Sequence, residues 1–326
     1  MCHAILVTVF LLTLLAKPAS AQDLYGLGGL IQGGVPVGSS YSWQLEYRQP
    51  LNEYLAASVS YLNEGHISSH HRDGQTAQLW AGTSLADGRI SLAAGIGPYF
   101  YYDTVPASQG ILYANDHGWG LNSSLAATWH ADSRWQLQLR SNWIETDSPH
   151  DTVSVLFGVG YRLDTPVEMS QSAAPGAKGP QRRPNGLGAY LGRTIVNSFD
   201  SEHSVAVGVE YRRLLSEYLE GSVGWLHEGD TRLVRRDGIT GEMWIVRYFL
   251  DDRLGLGIGG GLYFNLDSYH HVFEMENTRK TVSGIVSLTG AYRLAPDWEL
   301  RGIWHRIVTN YDRDTDVLLV GIGYCF

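Results

Sequence analysis

Cysteine is almost missing from this chain. Of its 326 residues two are cysteines, and Cys2 lies in a leader-like N-terminus. Cys325 is then alone, which excludes a disulfide framework. Charge is sparse as well: 17% of residues are charged, with 24 Lys and Arg against 33 Asp and Glu, a net charge of −9. No basic stretch is present to hold a phosphate backbone, so nucleic acid is not an expected partner. Long apolar runs are lacking too. Ile5 to Leu15 is shorter than the ~20 residues that a membrane helix needs, and Pro18 and Ala19-Ser20-Ala21 follow it. The pattern predicts a secretory leader, residues 1–21, cut after Ala21, although only the α-amino group and His3 precede the apolar run. No cysteine follows that cut, which argues against a lipid anchor. What abounds is 38 Gly, 19 Tyr and 10 Trp, a composition that fits strands rather than helices.

The chain is written twice. At a shift of 164 positions, Glu46-Tyr47-Arg48 returns as Glu210-Tyr211-Arg212, and LNEYLAASVSYLNEG from Leu51 returns as LSEYLEGSVGWLHEG from Leu215. Trp80 returns as Trp244, and GIGPYFYYD from Gly95 as GGGLYFNLD from Gly259. Further on the shift is 163, so that Trp135 matches Trp298. Nearly gapless self-similarity of this kind marks an internal duplication. The expected organisation is a first repeat over 22–164, a Pro/Gly-rich linker over 165–186 and a second repeat over 187–326.

Within each repeat the hydrophobic period is two. Ile90, Leu92, Ala94, Ile96, Pro98, Phe100 and Tyr102 fall on one face, against Ser91, Ala93, Gly95, Gly97, Tyr99, Tyr101 and Asp103. Eight strands are expected in the first repeat, at 24–34, 39–50, 53–64, 73–86, 88–103, 116–130, 134–146 and 152–163. Connections alternate between tight (QPLN, ADG, HADS) and longer ones. Transmembrane β-barrels show this asymmetry and this dyad. The chain closes on GIGYCF, with Leu318, Val320, Ile322, Tyr324 and Phe326 on one face.

The leader, the strand dyads and the final Gly-x-Gly-Tyr-x-Phe resemble bacterial outer-membrane β-barrel proteins over essentially all of the mature chain. Each half resembles the small eight-stranded members, a group that holds structural anchors, solute channels and lipid A deacylases. The resemblance implies an all-β, antiparallel up-and-down barrel in the outer membrane of a Gram-negative envelope. It also implies contact with outer-membrane lipid and lipopolysaccharide, and insertion by the barrel-assembly machinery through the strand ending at Phe326. Two architectures fit the count: two barrels of about eight strands, or one of about sixteen. A small barrel has room only for side chains, and Gln44, Glu46, Arg48, Gln136, Gln138 and Arg140 are placed to plug one. The long joint also favours two.

The stretch YLNEGHISSHHRDG, Tyr61 to Gly74, concentrates ionisable groups at the expected external mouth. The candidate residues there are Glu64, His66, His70, His71, Arg72, Asp73 and His117, with Glu228, Arg236 and Asp237 as their counterparts in the second repeat. The frame Glu-Gly…Arg-Asp-Gly occurs in both copies, but His66, His70 and His71 become Asp230, Val234 and Arg235. The frame therefore reads as architecture, with Glu64 able to pair with Arg72. The histidines match no tight zinc spacing, so no metal or cofactor is assigned. Deacylases of the family carry His-x-Ser on late strands. Here LRSNWIETD and LRGIWHRIVTNYD lack it, and His66-Ile67-Ser68 with Glu64 sits on the wrong hairpin. No catalytic residue is assigned. The expected role is structural, binding or passage of a small solute or polysaccharide; the alternative is a lipid A-modifying hydrolase.

Overall fold

A computed structural model describes residues 22–33, 38–67, 70–106, 113–147, 151–163, 183–231, 233–250, 252–268 and 281–326. The expected leader and most of the linker lie outside the described residues. Two units are present, each a closed antiparallel barrel.

The first barrel comprises β1 (Asp23–Gly33), β2 (Gly38–Pro50), β3 (Leu55–Ile67), β4 (His70–Leu85), β5 (Ile90–Val105), β6 (Ala114–His130), β7 (Trp135–Thr146) and β8 (Thr152–Arg162). Each strand pairs with its sequence neighbour, and β8 returns to β1 with Asp23 opposite Arg162 and Gly33 opposite Thr152. The second comprises β9 (Asn185–Val196), β10 (His203–Leu214), β11 (Leu219–Asp230), β12 (Arg235–Phe249), β13 (Leu254–Ser268), β14 (Val282–Ala295), β15 (Trp298–Val308) and β16 (Thr315–Cys325). There β16 returns to β9, from Thr315 opposite Val196 to Cys325 opposite Gly186. This pairing decides between the two architectures: there are two small barrels, not one of sixteen strands.

Strands of 11 to 17 residues meet or exceed the ~9–11 that a tilted strand needs to cross the hydrocarbon. Outward positions are apolar. Leu30 is 71% exposed and Leu125 66%, and Leu191, Val205 and Val320 are similarly bare. In water such a surface would be an aggregation hazard; in lipid it is the buried face. Many inward positions are polar and buried, among them Gln44, Glu46, Gln78, Gln136, Gln138 and Arg140, beside aromatic and aliphatic side chains.

The stretch expected to be a loop after Glu64 is mostly strand. The β3–β4 ladder runs on to Ile67 opposite His70, with a register shift between Asn63 and His66. Gly65, at φ +66°, supplies the left-handed backbone that the bulge requires, and Gly229, at φ +82°, does the same at the matching place in β11. A Cβ on Gly65 would fall 2.2 Å from the Tyr41 carbonyl oxygen, so no other residue fits.

Candidate functional site

The lumen of each barrel is organised around one indole. Trp80 and Trp244 are both buried, and each donates its indole N–H to a serine one strand away, Ser58 and Ser222, at 2.8 Å. Gly95 and Gly259 leave the space the rings occupy: a Cβ at either would lie 2.6 or 2.5 Å from the indole. In the first barrel Arg48 and Arg140 stack on Trp80, their guanidinium carbons 3.9 and 4.8 Å from the ring centre. Both arginines grip Glu46. Arg140 does so through two bonds of 2.7 and 2.6 Å, and Arg48 lies 2.9 Å away. Below this waist, towards the tight turns, Tyr25 donates to Gln136, which in turn donates to Asp23. Above it Asn142 donates to Gln44, and Gln44 to Ser60. Polar side chains therefore link across the lumen in a buried hydrogen-bonded network.

The second barrel inverts the charges on the same frame. Arg212 stacks on Trp244 at 4.0 Å and binds two carboxylates, Glu210 at 2.9 Å and Glu220 at 3.3 Å. Arg301 pairs with Glu299 at 2.6 Å. Gly188 stands in place of Tyr25, and a cavity of about 50 Å³ opens at the tight-turn end, lined in part by Tyr190, Glu210, Arg212, Glu220, Tyr248 and Arg301. Towards the other end the filling is apolar, with Leu226, Ile285, Ile303, Ile307, Val317 and Leu319.

At the end bearing the longer connections, Glu64 accepts four hydrogen bonds. Arg72 gives two, at 2.9 and 2.8 Å, and the Tyr99 and Thr152 hydroxyls give 2.7 and 2.6 Å. Glu228 is held in the same way by Arg236, with two bonds of 2.8 Å, and by Thr315 at 2.6 Å. Arg236 also donates to Tyr311 at 3.0 Å. Both clamps are buried. Each ties its hairpin to the strand that closes the barrel, β8 or β16.

The candidate histidines do not converge. His70 points inward, Nδ1 to Asp103 Oδ2 at 2.7 Å. His66 and His71 lie opposite one another in register on the outer face, ring centres 3.7 Å apart, with Tyr41 5.8 Å from His66. His117 packs against Tyr102 at 5.7 Å, and Asp73 is the register partner of Asn63 and Tyr102. In the second barrel the Asn63 position is His227, which bonds Asp237. Among the described residues no group of three or more His, Cys, Asp or Glu is placed to hold a metal. The Gly65 bulge also puts Glu64 inside and His66 outside, so these two members of the only Ser–His–acid candidate in this stretch face opposite ways; Ser68 lies outside the described residues.

Sequence reading missed a different group, Glu242, Ser287 and His305. Ser287 Oγ lies 2.5 Å from Glu242 Oε2 and 2.7 Å from His305 Nδ1. The serine stands between the acid and the imidazole, which is not the nucleophile–base–acid order of a hydrolase. The available signal was the repeat itself: the matching residues are Gln78, Ser124 and Asn142.

No family model and no curated protein matches the chain. Solved structures do. Neisserial surface protein A is 10% identical, covering 44% of this chain and 99% of its own, with a TM-score of 0.36. Ail, the attachment invasion locus protein of Yersinia pestis, is 15% identical over 44% and 99%, with a TM-score of 0.32. The NanC porin is 8% identical over 94% and 100%, with a TM-score of 0.23. Likenesses this low carry nothing on activity. Strand closure and the apolar exterior identify the chain by themselves as an internally duplicated β-barrel protein of the outer-membrane type.

Proposed function

We propose that this is a non-conducting outer-membrane protein whose two barrels serve a structural or binding role at the face bearing the longer connections. The observation that carries the reading is the waist of each lumen. Arg48 and Arg140 are buried, paired with Glu46 and stacked on Trp80, and Arg212 is likewise paired with Glu210 and stacked on Trp244. Passage of a solute through the first barrel would require Glu46 to leave two arginines at once. An eight-stranded barrel offers no alternative path.

The partner that fits this reading is outer-leaflet lipopolysaccharide. Phe100, Trp119, Tyr102 and His117 form a contiguous aromatic and imidazole cluster, with Phe100 and Trp119 4.9 Å apart, and Tyr41, His66 and His71 add a second. Amphipathic rings belong at a lipid–headgroup boundary. The final strand, ending in stacked Tyr324 and Phe326, is the segment offered to the barrel-assembly machinery.

Planar-bilayer recording of the purified full-length protein tests the reading. Silent membranes are expected across ±150 mV at ~1 M salt, where an open pore would be plain. Reproducible unitary steps from the wild-type protein would overturn it in favour of transport.

A further inference from the structure

At one level of the lumen the two barrels build the same hydrogen-bonded chain from different chemistry. In the first, Gln78 Nε2 donates to Ser124 Oγ at 2.9 Å, and Ser124 donates to Asn142 Oδ1 at 2.8 Å. Amides fix the direction of that chain, and none of its members titrates. In the second, Gln78 is replaced by Glu242 and Asn142 by His305, while Ser287 keeps the central place. The first replacement is isosteric, and both turn an amide into an ionisable group. All three residues are buried. Glu242 Oε1 has no hydrogen-bond partner among the described residues, and His305 Nδ1 is 3.6 Å from it.

We propose that Glu242, Ser287 and His305 form a proton-binding centre in the second barrel, in which the Ser287 hydroxyl passes one proton between carboxylate and imidazole. A hydroxyl has one hydrogen, so it can donate to only one neighbour and must accept from the other. If Ser287 donates to the Glu242 carboxylate, His305 Nδ1 must carry a hydrogen and donate to Oγ. If Ser287 donates to His305, Glu242 must be a carboxylic acid and donate to Oγ. When His305 is the imidazolium, both forms are neutral overall and interconvert in one balanced step. The Nδ1 proton of the imidazolium moves to Oγ as the hydroxyl proton moves to Oε2, leaving a neutral imidazole, an intact hydroxyl and a carboxylic acid. Loss of that proton leaves carboxylate and neutral imidazole, with one negative charge on the centre.

The charged groups acting on the centre come from β10, namely Glu210 and Arg212. Arg212 is itself held by Glu210 and by Glu220 of β11. β12 contributes Trp244, whose ring is 6.3 Å from that of His305, and β13 presents Gly261, where a Cβ would lie 2.8 Å from the Glu242 Cα. Glu210 and Arg212 also line the cavity at the tight-turn end, so the centre has charged neighbours that themselves face an opening. Two titrating groups this close bind their proton as a pair, and changing one must move the other.

The test is histidine ¹⁵N NMR of the full-length protein in detergent between pH 4 and 10, with the His305 signals assigned by their loss in His305→Asn. Glu242→Gln is expected to move the His305 titration midpoint by at least one pH unit, a tenfold change in proton affinity. The double variant Glu242→Gln/His305→Asn recreates the side chains that the first barrel already accommodates, and it should stay heat-modifiable on gels while losing one titrating proton. The reciprocal Gln78→Glu/Asn142→His should create a new coupled titration in the first barrel. If His305 shows no change of protonation over this range, or if its midpoint is unmoved by Glu242→Gln, there is no shared proton and the centre is only packing.

Discussion

Arg72→Ala is the substitution that most directly probes how a barrel is locked at its mouth. Glu64 has a side chain 1% exposed, and among the described residues Arg72 is its only cation at bonding distance, through bonds of 2.9 and 2.8 Å. Two bonds to a charged group are together worth about 3–6 kcal/mol when lost. The Tyr99 and Thr152 hydroxyls remain and still donate to the carboxylate, which offsets part of that. A buried carboxylate without its cation places the expected loss at about 3–5 kcal/mol. Removing both charges should be milder: Glu64→Gln with Arg72→Met keeps the volume and the hydroxyl contacts, and is expected to cost less than about 2 kcal/mol. Urea unfolding in phospholipid vesicles, followed by tryptophan fluorescence, measures both. Arg236→Ala is the internal replicate, because Glu228 is clamped by the same geometry. A change of less than about 0.5 kcal/mol for Arg72→Ala, or a double variant no better than the single, would show that the clamp does not lock the mouth.

Replacing His66, His70 and His71 together by Gln should cost under about 1 kcal/mol by the same assay, since two of them face outward and the second barrel has none at these places. Gly95→Ala should cost about 1–3 kcal/mol and quench-shift the Trp80 emission, because the added methyl meets the indole at 2.6 Å; an unchanged spectrum would refute that packing. Residues 22–163 and 183–326, each expressed behind the leader, should each fold and run heat-modifiably, because each closes on itself; a half that only aggregates would contradict the closure. Deleting Phe326 should lower outer-membrane levels while leaving export intact, read by fractionation, since it removes the reciprocal backbone bonds between Phe326 and Asn185 along with the terminal aromatic.

Alternation and repetition carry most of this fold in plain sight. Strand parity alone puts Gln44, Glu46, Arg140 and Gln138 inside. What parity does not supply is who meets whom. Glu46 and Arg140 are 94 positions apart, and they meet because β8 closes on β1, a choice that a sixteen-strand count leaves open. The hairpin after Glu64 reads as a loop because its residues are polar. It is strand because a glycine bulge resets the ladder, and Gly65 looks the same in sequence whether it ends a strand or bends one. The Glu242–Ser287–His305 group is dispersed over three strands with no motif, and only the offset against Gln78, Ser124 and Asn142 makes it visible.

That offset also explains why the two lumens can differ so much on one frame. The indole, its serine and the glycine facing it fix the width of the waist, so the repeated pieces are those that set geometry. The charges around the ring pair up, but in no single way. One acid between two bases works in the first barrel, with Arg48 and Arg140 on Glu46, and one base between two acids works in the second, with Glu210 and Glu220 on Arg212. Moving from one to the other needs Ala56 to become the glutamate at 220 and Arg140 to become the isoleucine at 303. Either change alone leaves equal numbers of acids and bases at the waist, and the two together give the second barrel's arrangement. Two copies in one chain allow both solutions to coexist: one lumen filled by neutral amides around its central acid, the other hollowed at one end and carrying a titratable pair.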